Sequence, residues 1–254
     1  MGIDQDAVGR IAALISAAQR IVVLTGAGMS TESGIPDFRG PQGIWTKDPD
    51  AEKMADIRYY LADADIRGRA WRHRLESGMW SAEPNAGHRA LAELERRGDL
   101  HTLITQNVDG LHQAAGNAPE RVVEIHGTVH EVKCMGCGAR SPMAPTLARV
   151  EAGEDDPACE ACGGILKSAT ISFGENLVPE DLRRSQDAAA SADLFLALGS
   201  SLTVYPAAAL PELAVGAGAA LVVINAEHTP FDPLADVVAR DSLGDVLTAV
   251  VQAL

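Results

Sequence analysis

The stretch "IVVLTGAGMSTESGIPDFRG", residues 21–40, decides how the rest of the chain is read. Ile21-Val22-Val23-Leu24 is an apolar, largely β-branched run, the pattern of a strand buried on both faces, and Gly26-Ala27-Gly28 follows at once. A dinucleotide fingerprint G-x-G-x-x-G would put its third glycine where Thr31 stands. The next glycine is Gly34, and behind it come Pro36, Asp37, Phe38 and Arg39. A simple phosphate loop has no evident need of that acid, ring and guanidinium.

Outward from this stretch, strands and helices alternate. Residues 4–19 set Val8, Ile11, Leu14 and Ile15 at helical spacing behind Asp4 and Asp6. "PNAGHRALAELERRG" reads as a helix ending at Gly98. "HTLIT" (101–105) and "RVVEI" (121–125) read as strands around a short helix in "GLHQAAG". From Pro179 the order is helix 179–190, strand "LFLALG", helix 206–215, strand "LVVIN" and a last helix near 243–253. This alternation predicts an α/β fold, a doubly wound parallel sheet of Rossmann-like type. Residues 46–80, charged and dotted with tryptophan, carry no strand signal and read as helices over the cleft. Residues 129–168 break the pattern and read as a small insertion. The expected division is therefore a nucleotide-binding domain from 1–45, 81–128 and 169–254, a helical segment at 46–80 and an insertion at 129–168.

The totals bound the function. A chain of 254 residues suits one α/β core with an insertion, and 46% hydrophobic residues supply that core. A net charge of −14 argues against binding nucleic acid or an anionic membrane, and favours cationic partners such as lysine-rich tails. No run is long enough to span a bilayer, and "MGIDQDAVGR" lacks the basic and apolar regions of a signal peptide. The expected location is cytoplasmic.

All four cysteines lie in the insertion. Cys134-x-x-Cys137 and Cys159-x-x-Cys162 are separated by 21 residues, and each pair can grip one ion from a tight turn. Four thiolates suit a structural Zn²⁺ with no position left for water. Disulfides are disfavoured in a cytosolic chain, and a redox motif would need one pair alone. A small lobe with little core of its own needs such a staple.

In an open α/β sheet, ligands sit beyond the carboxyl ends of the strands. There this sequence places Gly26, Ala27 and Gly28; Gln106, Asn107, Val108 and Asp109; His126; Gly199, Ser200 and Ser201; and Asn225. The glycines allow close backbone approach to a ligand, the serines add hydroxyls, and Asn225 could bond ribose hydroxyls. Five polar loops on one edge read as a dinucleotide site. His126 follows a buried strand and precedes glycine, so its ring projects to the cleft edge. With an ordinary pKa of about 6.5 it reads either as a general base or as a hydrogen-bonded structural histidine. His73, His88, His101, His130 and His228 read as surface or packing residues, and His112 as structural.

Taken in order, "GAGMSTESGIPDFRG", "TQNVDGLH", "EIHG", the paired cysteine knuckles, "ISFGENL", "GSSLTVYP" and "INAEHTP" resemble the sirtuins, NAD-dependent protein lysine deacylases, in their bacterial form. The resemblance runs from about residue 8 to the end. It implies a cleft between the doubly wound domain and a zinc lobe, where NAD meets an acyl-lysine peptide. In the family the nicotinamide–ribose bond breaks, the acyl oxygen captures the ribose C1′, and free lysine, nicotinamide and an acyl-ADP-ribose result. Carried over, His126 is the general base, and Gln106 and Asn107 hold the nicotinamide ribose and the attacking geometry. Val108 and Asp109 bind the carboxamide. Gly26, Ala27, Gly28 and Ser30 form the phosphate and ribose cradle. Asp37, Phe38 and Arg39 belong to a mobile cofactor loop that shields the reacting face and meets phosphate charge. "ISFGENL" alternates like an edge strand, so that Phe173, Gly174 and Glu175 pair with the substrate backbone from one side, and Val204 and Tyr205 from the other.

Two departures bear on this. Family members that prefer succinyl or malonyl groups carry a Tyr-x-x-Arg pair, where this chain has Trp71-Arg72-His73-Arg74. Arg74 could meet an acyl carboxylate, so deacetylation is the default and acidic acyl groups stay open. Met29 stands where isoleucine is common, a near volume-conserving change. The competing readings are a mono-ADP-ribosyltransferase, a non-catalytic NAD-binding or zinc-ribbon module, and a dehydrogenase. The last is disfavoured by Thr31 and by Asp37-Phe38-Arg39.

Overall fold

The computed structural model of the protein describes residues 2–40, 43–48 and 51–254. Residues 41, 42, 49 and 50, within the expected segments 1–45 and 46–80, lie outside the described residues. Nine strands are present among the described residues: β1 (Ile21–Thr25), β2 (Leu100–Thr105), β3 (Val122–Glu124), β4 (Gly127–Cys134), β5 (Arg140–Pro142), β6 (Leu166–Thr170), β7 (Leu194–Leu198), β8 (Ala220–Ile224) and β9 (Val237–Ala239). Six of them make one sheet in the order β3-β2-β1-β7-β8-β9, every neighbouring pair parallel. The chain builds outward from β1 to β3, then restarts at β7 on the other side of β1. The winding direction reverses between β1 and β7, which is where a doubly wound sheet opens a crevice.

Alternation along the strands feeds two cores. Ile21 and Val23 of β1 join Leu103, Leu196 and Val222 beneath α1 (Gln5–Ala17), α6 (Ala86–Arg97) and α11 (Leu243–Ala253). Val22 and Leu24 join Ile104, Phe195 and Val223 on the opposite face, under α9 (Pro179–Ala190) and α10 (Leu210–Gly216). The helix ends follow their sequence signals. Asp4 caps α1 by accepting from the N–H groups of Asp6 and Ala7 at 3.0 and 3.1 Å. Asn85 and His88 form a reciprocal capping box at the start of α6, and Gly98 ends that helix with φ +91°.

The region between β3 and β7 forms a second, antiparallel sheet in the order β5-β4-β6. Its strands went unread in the sequence because the lobe borrows its core. Trp71, from α5 (Ala64–Leu75), is fully buried against Val132, Met143, Val150 and Leu166. The helices α2 (Ile44–Lys47), α3 (Ala51–Met54) and α4 (Ile57–Ala62) precede α5, and the Tyr60 hydroxyl of α4 donates to the Leu166 carbonyl of β6 at 2.9 Å. Two short helices complete the set: α7 (Leu111–Ala115) behind β2 and α8 (Met143–Glu151) in the small lobe.

One expectation fails. "ISFGENL" is not an edge strand: β6 ends at Thr170, and Phe173 makes a single parallel bridge to Asp56. Gly174, with φ +86°, turns the chain away directly afterwards.

Candidate active site

The crevice at β1 and β7 is closed from behind by glycines. The Gly26 N–H donates to the Leu198 carbonyl at 3.0 Å, and the Gly28 N–H to the Gly199 carbonyl at 2.8 Å. A Cβ on Gly28 would lie 2.8 Å from the Gly199 Cα, and one on Gly199, whose φ is +60°, would lie 2.5 Å from the Met29 nitrogen. Here the missing side chains let two backbone loops lock together.

Above this seam lies a buried polar network. The Asn107 carboxamide donates to the Gly26 carbonyl and to Ser30 Oγ, both at 3.0 Å. Ser30 Oγ in turn donates to Asp109 Oδ2 at 2.7 Å, and the Leu111 N–H donates to Asp109 Oδ1 at 2.9 Å. Ser30, Asn107 and Asp109 are all buried, so the network excludes water and each bond is electrostatically stronger for it. Beneath them, Thr25 Oγ1 donates to Thr105 Oγ1 at 2.8 Å, and Thr105 Oγ1 accepts the Asn107 N–H at 3.0 Å. Sequence reasoning passed over these two threonines. The signal was there: "IVVLT" and "LHTLIT" each end in threonine, and the two residues are directly paired in the parallel ladder.

His126 sits on the rim, half-buried between the sheets. Its Nδ1 lies 3.1 Å from the Gln106 carbonyl oxygen, which can only accept. The ring therefore carries its proton on Nδ1 and offers a free lone pair at Nε2. Burial pulls the pKa below the ordinary histidine value, with the Gln106 bond acting in the opposite direction. A ring that is neutral at pH 7 with Nε2 unprotonated is a competent general base. Gln106 also donates from Nε2 to Ser200 Oγ at 2.8 Å, joining the loops after β2 and β7. His130, read as a surface or packing residue, is exposed and meets the Asp109 carbonyl with Nε2 at 2.9 Å, and the Val108 carbonyl accepts the Val129 N–H at 3.0 Å. Both bonds tie β4 to the site.

Other expected residues stand further out. The Asn225 carboxamide is taken up by the Glu227 carbonyl at 2.9 Å, within its own loop, and Ser201 Oγ pairs with Thr203 Oγ1 at 2.9 Å. Asp37 accepts the Gly40 N–H at 3.0 Å, and the Arg39 guanidinium lies 4.8 Å over the Trp45 ring. Ala27 forms part of the first turn after β1. The Glu175 carboxylate pairs at 2.9 Å with Lys167, a buried cation whose pKa burial lowers and Glu175 opposes. The main-chain N–H and carbonyl of Phe173 are both spent on Ala55 and Ile57, at 2.8 and 3.0 Å. Backbone pairing with a peptide would thus fall to its neighbours in the chain. The Val204 carbonyl accepts the Ala208 N–H at 3.0 Å, and the Tyr205 ring is 66% exposed.

The four cysteine sulfurs in the small lobe lie within 4.8 Å of one another. Cys134 Sγ is 3.5 Å from Cys162 Sγ, and Cys137 Sγ is 3.9 Å from Cys159 Sγ. A tetrahedral Zn²⁺ with bonds of about 2.3 Å requires sulfurs roughly 3.8 Å apart, so the set fits that ion. The backbone N–H of Cys137, then that of Gly136, pulls the Cys134 thiol below its ordinary value, while at Cys162 the downward pull of the Gly164 N–H is outweighed by the neighbouring thiols, which push the thiol up. Among the described residues, no helix is long and apolar enough to cross a membrane.

A parallel doubly wound sheet, a polar crevice at its switch point and a four-cysteine lobe together define a dinucleotide-binding class of enzyme. The Sir2 family model matches residues 26–206, and the chain belongs to that family. NAD-dependent protein deacetylase 2 of Streptomyces coelicolor is 53% identical over 234 residues, covering 92% of this chain and 97% of the relative. Two solved Sir2 structures superpose over 96% of each chain at 36% identity. One holds a deacetylated p53 peptide with 3′-O-acetyl ADP ribose (TM-score 0.89), and the other a p53 peptide with NAD⁺ (TM-score 0.85).

Proposed function

We propose that the chain removes acetyl groups from protein lysine side chains at the expense of NAD, releasing nicotinamide and O-acetyl-ADP-ribose. The observation that carries this reading is the His126–Gln106 bond, which leaves a basic Nε2 beside the Ser30–Asn107–Asp109 network. It is supported by the Streptomyces relative, a protein deacetylase, and by the neighbour that holds an acetyl-ADP-ribose.

NAD supplies an electrophilic ribose C1′ when nicotinamide leaves, and the chain's own residues do the rest. Gly26, Ala27, Gly28, Gly199, Ser200 and Ser201 line the cradle for the diphosphate, and Asn225 the distal ribose. Asp109 orients the carboxamide, helped by Val108. Gln106 and Asn107 hold the ribose, and His126 Nε2 takes a proton from its hydroxyls. Asp37, Phe38 and Arg39 cover the cofactor. The acyl-lysine peptide runs past Phe173, Gly174 and Glu175 on one side and Val204 and Tyr205 on the other. Cys134, Cys137, Cys159 and Cys162 hold one structural Zn²⁺ that fixes the insertion at 129–168 against the cleft. A cytoplasmic setting, where thiols stay reduced, suits that site.

A second reading concerns the acyl group. Arg74 Nη1 and Trp71 Nε1, one helical turn apart, are buried donors with no partner, and the guanidinium lies 5.4 Å over the Trp71 ring. Buried donors favour an acceptor, so a succinyl or malonyl carboxylate is the alternative to acetyl. Mass spectrometry of acetyl-lysine and succinyl-lysine peptides, with and without NAD, tests both readings. Acetyl loss only with NAD, with acetyl-ADP-ribose formed, is the expected result. Faster succinyl removal would favour Arg74 as an acyl ligand, and ADP-ribose added to the peptide would replace deacetylation with ADP-ribosyl transfer.

A further inference from the structure

Trp45 joins the two halves of the proposed site. Its ring centroid lies 4.9 Å from that of Phe38 on the cofactor side and 5.5 Å from that of Phe173 on the peptide side. The Arg39 guanidinium lies over both Trp45 and Phe173, at 4.8 and 6.0 Å. Phe38 and Phe173 are 43% and 38% exposed, so these ring contacts are made at the mouth of the cleft and not in a core.

The loop and α2 are held together as one piece. The Ile44 and Trp45 N–H groups donate to the Asp37 and Phe38 carbonyls at 2.9 and 3.0 Å. A Cβ on Gly43 would lie 2.6 Å from the Phe38 carbonyl carbon, so only glycine lets α2 seat this closely. Phe173 is anchored separately, through its main chain to Ala55 and Ile57. Trp45 therefore makes a contact between two separately anchored pieces, one bearing the cofactor residues and one the peptide residues.

We infer that Trp45 is a positioning residue that couples the two substrates: its packing against Phe173 transmits occupancy of the peptide edge to Phe38 and Arg39. The inference rests on the function proposed above. A ligand shifts an equilibrium only through contacts that differ between states, and by linkage the effect must be reciprocal. Peptide that orders Phe173 favours the docked loop, and nucleotide that orders the loop favours the peptide edge by the same factor.

The test is isothermal titration of the zinc-loaded protein with ADP-ribose, with and without saturating acetyl-lysine peptide, a pair that does not react. Wild type is expected to bind ADP-ribose about tenfold more tightly with peptide present, and peptide more tightly with ADP-ribose by an equal factor. Trp45→Ala, or Trp45→Leu should the alanine variant fail to fold, is expected to bring that factor to within about twofold of unity. Trp45→Phe, which keeps a ring, is expected to retain most of it. Coupling kept in the alanine or leucine variant, coupling lost as fully in Trp45→Phe, or none in wild type would overturn the inference. A wild-type protein that bound neither ligand would overturn the proposed function itself, and this inference with it.

Discussion

Ser30 Oγ and Asp109 Oδ2 meet at 2.7 Å, from loops that follow β1 and β2. Asp109 is thereby aimed by a hydroxyl that Asn107 holds from the other side, while the Leu111 N–H fixes the second carboxylate oxygen. The orientation of this carboxylate is set by three neighbours, all of them in motifs that follow a buried strand.

Asp109→Asn keeps the volume and removes the charge. Charged hydrogen bonds contribute about 1.5–3 kcal/mol, so nicotinamide exchange is expected to fall roughly 10- to 100-fold. NAD binding, spread over many contacts, should change far less. Exchange measured with labelled nicotinamide decides the matter; a normal rate would remove Asp109 as the carboxamide ligand.

His126→Ala is expected to cost about 10²- to 10⁴-fold in turnover, the usual range for a positioned base, with folding and NAD affinity little changed. The base must be neutral to act, and burial holds its pKa below the ordinary value. The acid limb of kcat/KM should therefore fall below pH about 6.5. A limb at or above that pH would contradict the burial argument.

Acid should destabilise the fold through buried histidines. Burial, the largest cause in each case, lowers His88 to about 4 and His112 well below its ordinary value. Between pH about 6.5 and 4 the unfolded chain binds protons that the native state refuses, so stability falls as pH falls through that window. For His88 the full loss is on the order of 3 kcal/mol. Urea midpoints at pH 7.5 and 4.5 should separate for wild type and separate less for His88→Gln. The zinc thiolates contribute equally to both proteins, so equal separations would be evidence against His88.

Cys134→Ser should lose bound zinc and loosen the small lobe, exposing Trp71, which is fully buried there. Metal analysis with near-ultraviolet circular dichroism reads both effects. A metal-free variant as stable as wild type would refute the structural role.

Much of this was legible because it is local. Apolar runs gave β1, β2, β7 and β8, Asp4 and Gly98 marked helix ends, and the cysteine spacing led to a sulfur cluster of tetrahedral size. What stayed hidden depends on partners distant in sequence. β4 and β6 carry no clear period because Trp71, from another segment, completes their core. β9 has three residues, too few to show alternation. Phe173 looked like part of a strand because Ile171, Ser172, Phe173 and Glu175 suggest alternation, but its bridge to Asp56 and the turn at Gly174 end the pairing. The contact of the exposed His130 with the Asp109 carbonyl stayed hidden because nothing in the sequence places the two together.

The glycine seam between β1 and β7 bears on how the molecule is born. Gly28 and Gly199 are 171 positions apart, yet their backbones touch, and the crevice exists only where they do. A nascent chain can shape its first strands and the cysteine lobe while the ribosome is still at work. The Gly28–Gly199 seam cannot close until about residue 200 has emerged and β7 has slid in beside β1. A chain truncated before Leu194 would lack the wall against which its opening glycines close.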